Sequence, residues 1–400
     1  MKRSGHADLP LHGGKVPHWL AERMAKLGSA ITESIVVEYG KSAFLSRLSD
    51  PLWFQSFGCV LGMDWHSSGI TTSVMGALKK SLNPIASELG IYICGGRGKS
   101  SRKTPDELLQ LAGKVGFNGD EMVKNSRLTA KVDNTAVQDG YQLYLHSFVV
   151  TDEGEWAVVQ QGMNNLNGMA RRYHWHSSNV KSFSEDPHTG VCGVNKGPIL
   201  NLTAKEAANT KASILDISKS PSDRMLREIR KIIMPRHHEV SALDVDLKRL
   251  GSVLALANNS DISSFDDLLM ISGLGPRTLQ SLTLVSEVIH GTPSRFADPA
   301  RYSFAHGGKD GHPFPVPTKV YDETIDMLRS SVIKAKIDQT EKHKAIKSLH
   351  QLAMKMEKGF QPAPERFEKI VQKERDESYL HGGRTVFGKS KPPGGQLRLF

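Results

Sequence analysis

Two glycines flank a leucine at residues 273–275, and a proline follows at position 276. Glycine permits a tight turn and leaves no side chain in the way of an approaching backbone, while proline suits the first turn of a helix. Leu268, Leu269 and Ile271 supply the apolar anchor that a helix before this turn needs. The segment therefore predicts two helices joined by a tight turn, with Leu274 filling the space between them.

Residues 268–282 resemble the helix-hairpin-helix family. The resemblance implies that backbone amides at the start of the second helix hold a DNA phosphate, with Arg277 as an additional cation. Contacts of this kind position a protein on DNA without reading its sequence. Two alternatives stay open, namely a plain glycine turn between packed helices and a hairpin that binds another protein. The expected DNA-binding residues are Gly273, Leu274, Gly275, Arg277 and Thr278.

The charge balance suits a polyanionic partner without requiring one. The chain has 52 Lys and Arg against 42 Asp and Glu, a net charge of +10. Such cations release counterions when they contact phosphate, although a basic surface also serves solubility alone. The chain lacks the apolar stretch of roughly 20 residues that a membrane span needs, a signal-peptide core and a disulfide framework. We expect a soluble cytoplasmic, nucleoid-associated protein that binds the DNA phosphate backbone, and its oligomeric state is left open.

The predicted fold class is α+β, with a mixed α/β N-terminal domain (residues 1–210) followed by an all-helical helix-hairpin-helix domain (residues 211–360). In the first part, helical spacing covers residues 15–50, 71–82 and 105–128. β-Branched and aromatic residues at 141–150 and 155–160 flank a short glycine-containing loop, which predicts a β-hairpin. In the second part, the helical stretch 318–360 is expected to break near Asp338. Residues 361–400 form a basic tail without a core pattern.

Several phrases resemble the domain of unknown function 763 family over roughly residues 5–335. They lie at residues 8–15, 62–69, 170–175, 235–238 and 298–313. The resemblance implies a prokaryotic-type protein in which a helix-hairpin-helix accompanies a distinct N-terminal domain.

The leading enzymatic hypothesis is metal-dependent attack on a phosphodiester bond. Carboxylates and imidazoles could hold Mg²⁺, Mn²⁺ or Zn²⁺ and activate water. Asp139 before the β-hairpin and Gln160–Gln161 after it resemble the metal site of restriction-like nucleases, although the expected lysine is replaced by Gly162 or Met163. Each residue alone also fits a capped turn or a buried imidazole. The candidate catalytic residues are Asp64, His66, Asp139, His174 and His176, and the candidate metal ligands are Asp64, His66, His174 and His176.

Three other functions stay open, a non-catalytic DNA-binding or scaffold protein, a helix-hairpin-helix DNA glycosylase and a protein-interaction module. In such glycosylases a catalytic aspartate lies about one helix beyond the glycines, and Asp298 falls at that distance. Arg277 stands where bifunctional members carry a Schiff-base lysine, which argues against lyase chemistry. A turn or helix-capping role is the simpler alternative for Asp298.

Three further segments have anion-binding or nucleic-acid-binding patterns. His306-Gly307-Gly308-Lys309 offers a backbone anion nest with a cation beside it, and we expect it to line the DNA-facing side unless it is a plain glycine turn. The glycine-rich segment 95–100 lacks the first glycine of a phosphate loop, so only a looser anion-binding turn is expected there. Residues 171–176 mix cations with aromatics, as a single-strand stacking surface or a half-buried helix end would.

Overall fold

The computed structural model describes residues 16–63, 67–166, 168–221, 247–300 and 318–357, with residues 372, 376, 384–385 and 388–389. Five helices precede the first strand: α1 (His18–Tyr39), α2 (Lys41–Leu48), α3 (Pro51–Val60), α4 (Gly69–Leu82) and α5 (Ala86–Leu89). The predicted helix over residues 15–50 is thus two helices. They are separated at Gly40, whose φ of 86° ends α1 in a conformation that favours glycine.

An antiparallel sheet follows, with helices inserted after its first strand. The order is β1 (Ile91–Arg97), α6 (Thr104–Val115), α7 (Gly119–Lys131), β2 (Val137–Gln138), β3 (Gln142–Thr151), β4 (Trp156–Asn164), β5 (Met169–His176), β6 (Gly190–Cys192) and β7 (Pro198–Asn201). Five of these strands form one sheet in the order β1-β3-β4-β5-β6. The predicted β-hairpin is confirmed as β3 and β4, in which Val150 pairs with Trp156.

The remaining described elements are mostly helical. They are α8 (Ala208–Lys219), α9 (Leu247–Asn258), α10 (Phe265–Met270), α11 (Pro276–His290), β8 (Phe296–Ala297), α12 (Thr318–Lys334), α13 (Gln339–Glu357) and the paired strands β9 (Arg384–Thr385) and β10 (Gly388–Lys389). The gap between α12 and α13 confirms the predicted break near Asp338. Strand β8 pairs with β7, and β7 pairs with β2, so residues on both sides of position 210 share a second, three-stranded sheet.

Two apolar cores lie on opposite faces of the five-stranded sheet. Alternate residues of β4 enter different cores, since Ala157 and Val159 join one and Val158 the other. The first core is closed by α1 to α4, α12 and α13. The second is closed by α6 to α11. The protein is therefore a mixed α/β structure with antiparallel sheets, and the domain division near residue 210 stays a prediction.

Candidate nucleic-acid interface

The predicted turn joins α10 to α11 in the layer that covers the second core. Ser264 begins α10 with a capping box, because its hydroxyl accepts from the Asp267 amide and the Asp267 carboxylate accepts in return. The chain then reverses at Gly273, where φ is 82°. A residue with a β-carbon is strained in that region, so the turn requires glycine. Leu274 is buried, as predicted for a side chain that fills the space between the two helices.

The N-terminus of α11 is left without a side-chain cap. Gly275 occupies the N-cap position with extended backbone, and the first helical hydrogen bond runs from the Leu279 amide to the Gly275 carbonyl at 3.0 Å. The amides of Arg277 and Thr278 come before the first helical hydrogen bond and have no acceptor within the helix. The N-cap residue supplies no side-chain acceptor for them either. Gly273, Pro276 and Arg277 are exposed, which places the turn at the protein surface. This end of α11 therefore presents amide donors and a positive helix dipole to the solvent.

A cationic stripe runs along α7 to this turn. It consists of Lys124, Arg127 and Lys131, whose spacing places them on one face of the helix. Lys124 and Arg127 are exposed, while the Lys131 ammonium donates a 2.6 Å hydrogen bond to the Leu274 carbonyl. The turn and the stripe are thus one continuous surface. The stripe was not predicted from the sequence, although cations at i, i+3 and i+7 of a helix are a recognisable pattern.

Asp139, predicted to be catalytic, lies inside a buried ion network. Its carboxylate accepts from the Arg171 guanidinium at 2.9 Å, from the Tyr173 hydroxyl at 2.7 Å and from the Tyr141 amide at 3.0 Å. Burial opposes the charge on Arg171, but the carboxylates of Asp139 and Asp298 outweigh it and raise the pKa of Arg171 above its ordinary value. The carboxylate of Asp139 is therefore satisfied by a protonated arginine and by neutral donors.

His174 and His176 lie on the opposite face of β5 from this network. The Nε2 atom of His174 accepts from Arg172 at 2.8 Å, and its Nδ1 faces the Leu48 carbonyl at 3.2 Å. Burial, reinforced by Arg172, holds the pKa of His174 well below its ordinary value. His176 contacts the Ser178 hydroxyl through Nδ1 and the Glu155 carboxylate through Nε2, at 2.5 and 3.5 Å. The sheet thus separates the two histidines from Asp139.

The interpretation of residues 171–176 as a stacking surface or a helix end is wrong. They form the buried centre of β5, with Arg171, Tyr173 and Trp175 on one face and Arg172, His174 and His176 on the other. Both arginines are fully buried because each finds polar partners inside the protein, which the local sequence does not reveal.

The other predicted site residues form no metal site within the described ranges. Asp64, His66 and the segment His306-Gly307-Gly308-Lys309 lie outside the described residues. Within the described ranges, no group of three or more His, Cys, Asp or Glu side chains is arranged to hold a metal ion. Asp298 accepts from Arg171 through both carboxylate oxygens and also from the amides of Lys196 and Ala300.

Comparison with known proteins places the chain in a family. A family model described as a protein of unknown function (DUF763) matches residues 5–316, and the chain belongs to that family. No curated protein and no solved structure is significantly similar to it. In the part of the chain that the structure describes, every helix is too short or too polar to cross a membrane.

Proposed function

We propose that this protein binds the sugar–phosphate backbone of DNA through a helix-hairpin-helix formed by α10, the turn at residues 271–275 and α11. The observation that carries the proposal is the uncapped start of α11, where no side chain caps the first amides and where Pro276 and Arg277 are exposed. Amides at a helix start bind phosphate because unsatisfied donors and the helix dipole act together.

The surroundings of the turn favour a strand rather than a single anion. The stripe on α7 spans seven residues, so its cations extend about 10 Å away from the turn at 1.5 Å per residue. DNA presents one phosphate about every 3.4 Å along each strand of a duplex, so such a row of cations has several phosphates within reach. Asp120 lies one turn before Lys124, which marks the far end of the cationic surface.

The buried part of the hairpin supports a rigid contact. Leu268, Leu269, Leu274 and Leu279 all belong to the second core, so the two helices are fixed relative to the sheet. The Lys131 hydrogen bond to Leu274 also fixes the turn relative to α7. A phosphate site held this firmly loses little conformational entropy when it binds.

Binding to DNA duplexes of unrelated sequence tests the function. We expect similar affinities for all of them, because backbone contacts carry no sequence information, and a steep loss of affinity as salt increases. Arg277→Gln is expected to lower the affinity for every sequence alike. Undetectable binding at low salt, or affinity confined to one sequence and independent of salt, would overturn the proposal.

A further inference from the structure

We propose that the cleft beside the hairpin binds unpaired nucleotides of a DNA strand whose phosphate is held at the start of α11. The inference rests on the proposed function and names the form of DNA that it selects. The cleft has a volume of about 690 Å³ and lies between α11 and the strands β2, β3 and β7. Known small-ligand sites span about 300–1,000 Å³, so a nucleotide is a ligand of suitable size.

The cleft begins where the phosphate site lies. Pro276, the first residue of α11, lines it, and so do Gln280, Leu284 and Glu287 further along the same helix face. At 1.5 Å per residue, the wall from Pro276 to Glu287 is about 16 Å long. The Gln138 side chain fixes this junction, since its amide nitrogen donates to the Pro276 carbonyl at 2.8 Å. A DNA strand whose phosphate is bound at the amides of Arg277 and Thr278, and which continues past Pro276, therefore enters the cleft directly.

The lining has the chemistry that a free base requires. Gln142 and Gln280 offer amide groups with both donors and acceptors, as the hydrogen-bonding edges of bases do. Gln138 adds a carbonyl oxygen, since its nitrogen donates to Thr135 and Pro276, and Asn134 adds an amide nitrogen, since its oxygen accepts from Leu143. Between them lie aliphatic side chains that can cover the flat faces of a base, namely Val137, Leu143, Ile199, Leu200 and Leu284. Bases in a duplex are stacked and paired, so only unpaired bases can use such a concave surface.

The charges around the cleft agree with a nucleotide chain. Lys196 and Arg295 line it and are exposed, which leaves them able to meet phosphates. Two carboxylates, Asp139 and Glu287, line it as well. Asp139 pairs with Arg171 on the inner side, and Asp298 shares that guanidinium. The Tyr141 ring is covered by Lys196 and Arg171, whose cationic groups lie 5.0 and 4.9 Å from its centre. Base faces therefore meet aliphatic rather than aromatic side chains here.

A comparison of intact and gapped DNA tests this site. We expect the full chain to bind a duplex with a short single-stranded gap about tenfold more tightly than the intact duplex, the equivalent of about 1.4 kcal/mol. Gln280→Leu, which removes an amide from the cleft at a similar side-chain volume, should bring the two affinities to within about threefold by removing a hydrogen bond to the base, with little change for the intact duplex. Gln110→Leu is the matched control, because Gln110 is exposed on α6 and does not line the cleft.

The outcomes separate the cleft from the hairpin. Equal affinity of the wild-type protein for intact and gapped DNA overturns the cleft proposal and leaves the hairpin function standing. A preference for gapped DNA that is undiminished in Gln280→Leu, in a variant whose thermal unfolding matches that of Gln110→Leu, also overturns it. Failure to bind either DNA overturns both proposals together.

Discussion

The Arg171 guanidinium donates hydrogen bonds to both carboxylate oxygens of Asp298, at 2.9 and 2.8 Å, in a site from which solvent is excluded. The pair joins β5 to the chain just after β8, more than a hundred residues away in sequence. This ion pair therefore holds the segment around Asp298, which follows the two hairpin helices, against the five-stranded sheet.

Removing one partner of this pair should destabilise the protein strongly. Asp298→Ala leaves Arg171 paired with Asp139 but removes the buried acceptor of two guanidinium N–H groups and of the Lys196 and Ala300 amides. Each buried donor left unsatisfied typically costs about 1–3 kcal/mol. Urea unfolding measures the loss, with Asp261→Ala as the control because Asp261 is an exposed aspartate after α9. A stable Asp298→Ala protein that has lost only a DNA-processing activity would instead favour the glycosylase alternative.

The cations of the α7 stripe should contribute to DNA affinity through charge alone. Replacing Lys124 and Arg127 with alanine should weaken binding to all sequences and lower the slope of log affinity against log salt by about one for each cation removed. Lys80→Ala is the control, since Lys80 is exposed on α4, a helix that packs against the opposite face of the sheet. An unchanged salt slope in the double variant would exclude the stripe from the interface.

A buried histidine should make stability depend on pH. Burial lowers the pKa of His146 to about 4, although its hydrogen bond to Gln160 acts in the opposite direction. Since the unfolded histidine titrates near 6.5, the unfolded state binds more protons between these values, and stability falls as the pH drops from 6.5 towards 4. The full effect is about 3 kcal/mol at 1.36 kcal/mol per pH unit.

The difference between wild type and His146→Gln isolates this contribution from that of other titrating groups. We expect the variant to lose less stability than the wild type over this pH window, as measured by urea unfolding. His343→Gln, at an exposed position on α13, should follow the wild-type curve. Identical pH dependence of His146→Gln and the wild type would show that His146 titrates normally.

DNA binding at the hairpin should not require a divalent metal, because amides and cationic side chains make the contacts. Chelation with EDTA is therefore expected to leave the affinity for duplex DNA unchanged, whereas loss of binding would contradict the proposed contact. The nuclease hypothesis stays a prediction, since Asp64 and His66 lie outside the described residues. Cleavage assays on single-stranded, duplex and branched DNA with Mg²⁺ or Mn²⁺ and with chelator test it separately.

Local chemistry explains which elements could be predicted from the sequence. The β3–β4 hairpin and the turn at Gly273 follow from backbone preferences of neighbouring residues, and both were predicted close to their observed positions. Strand β5 was not predicted, because buried arginines hide the alternation that normally marks a strand. Their partners, such as Asp298 for Arg171, are remote in sequence, and only the tertiary fold brings them together.

Only the part of the candidate interface that is made of residues adjacent in sequence could be predicted. The glycines and Arg277 are adjacent in sequence, so their shared role follows from a short pattern. The cleft gathers Gln138, Lys196 and Gln280 from three separate parts of the chain. No local pattern predicts such a surface, because it depends on how α11 packs against the second sheet.

The most direct measurement is DNA affinity in substitutions at Gly275, which occupies the N-cap of α11 with φ −129° and ψ −177°. An aspartate fits this extended backbone and caps the helix, which typically stabilises it, while its charge repels phosphate. We expect Gly275→Asp to unfold at an unchanged or higher urea concentration and to lose at least about tenfold in affinity for duplex DNA, the equivalent of 1.4 kcal/mol. Gly275→Asn, which caps without charge, should lose less, and Gly275→Ala least. A folded Gly275→Asp protein that binds DNA as tightly as the wild type would contradict the proposed contact.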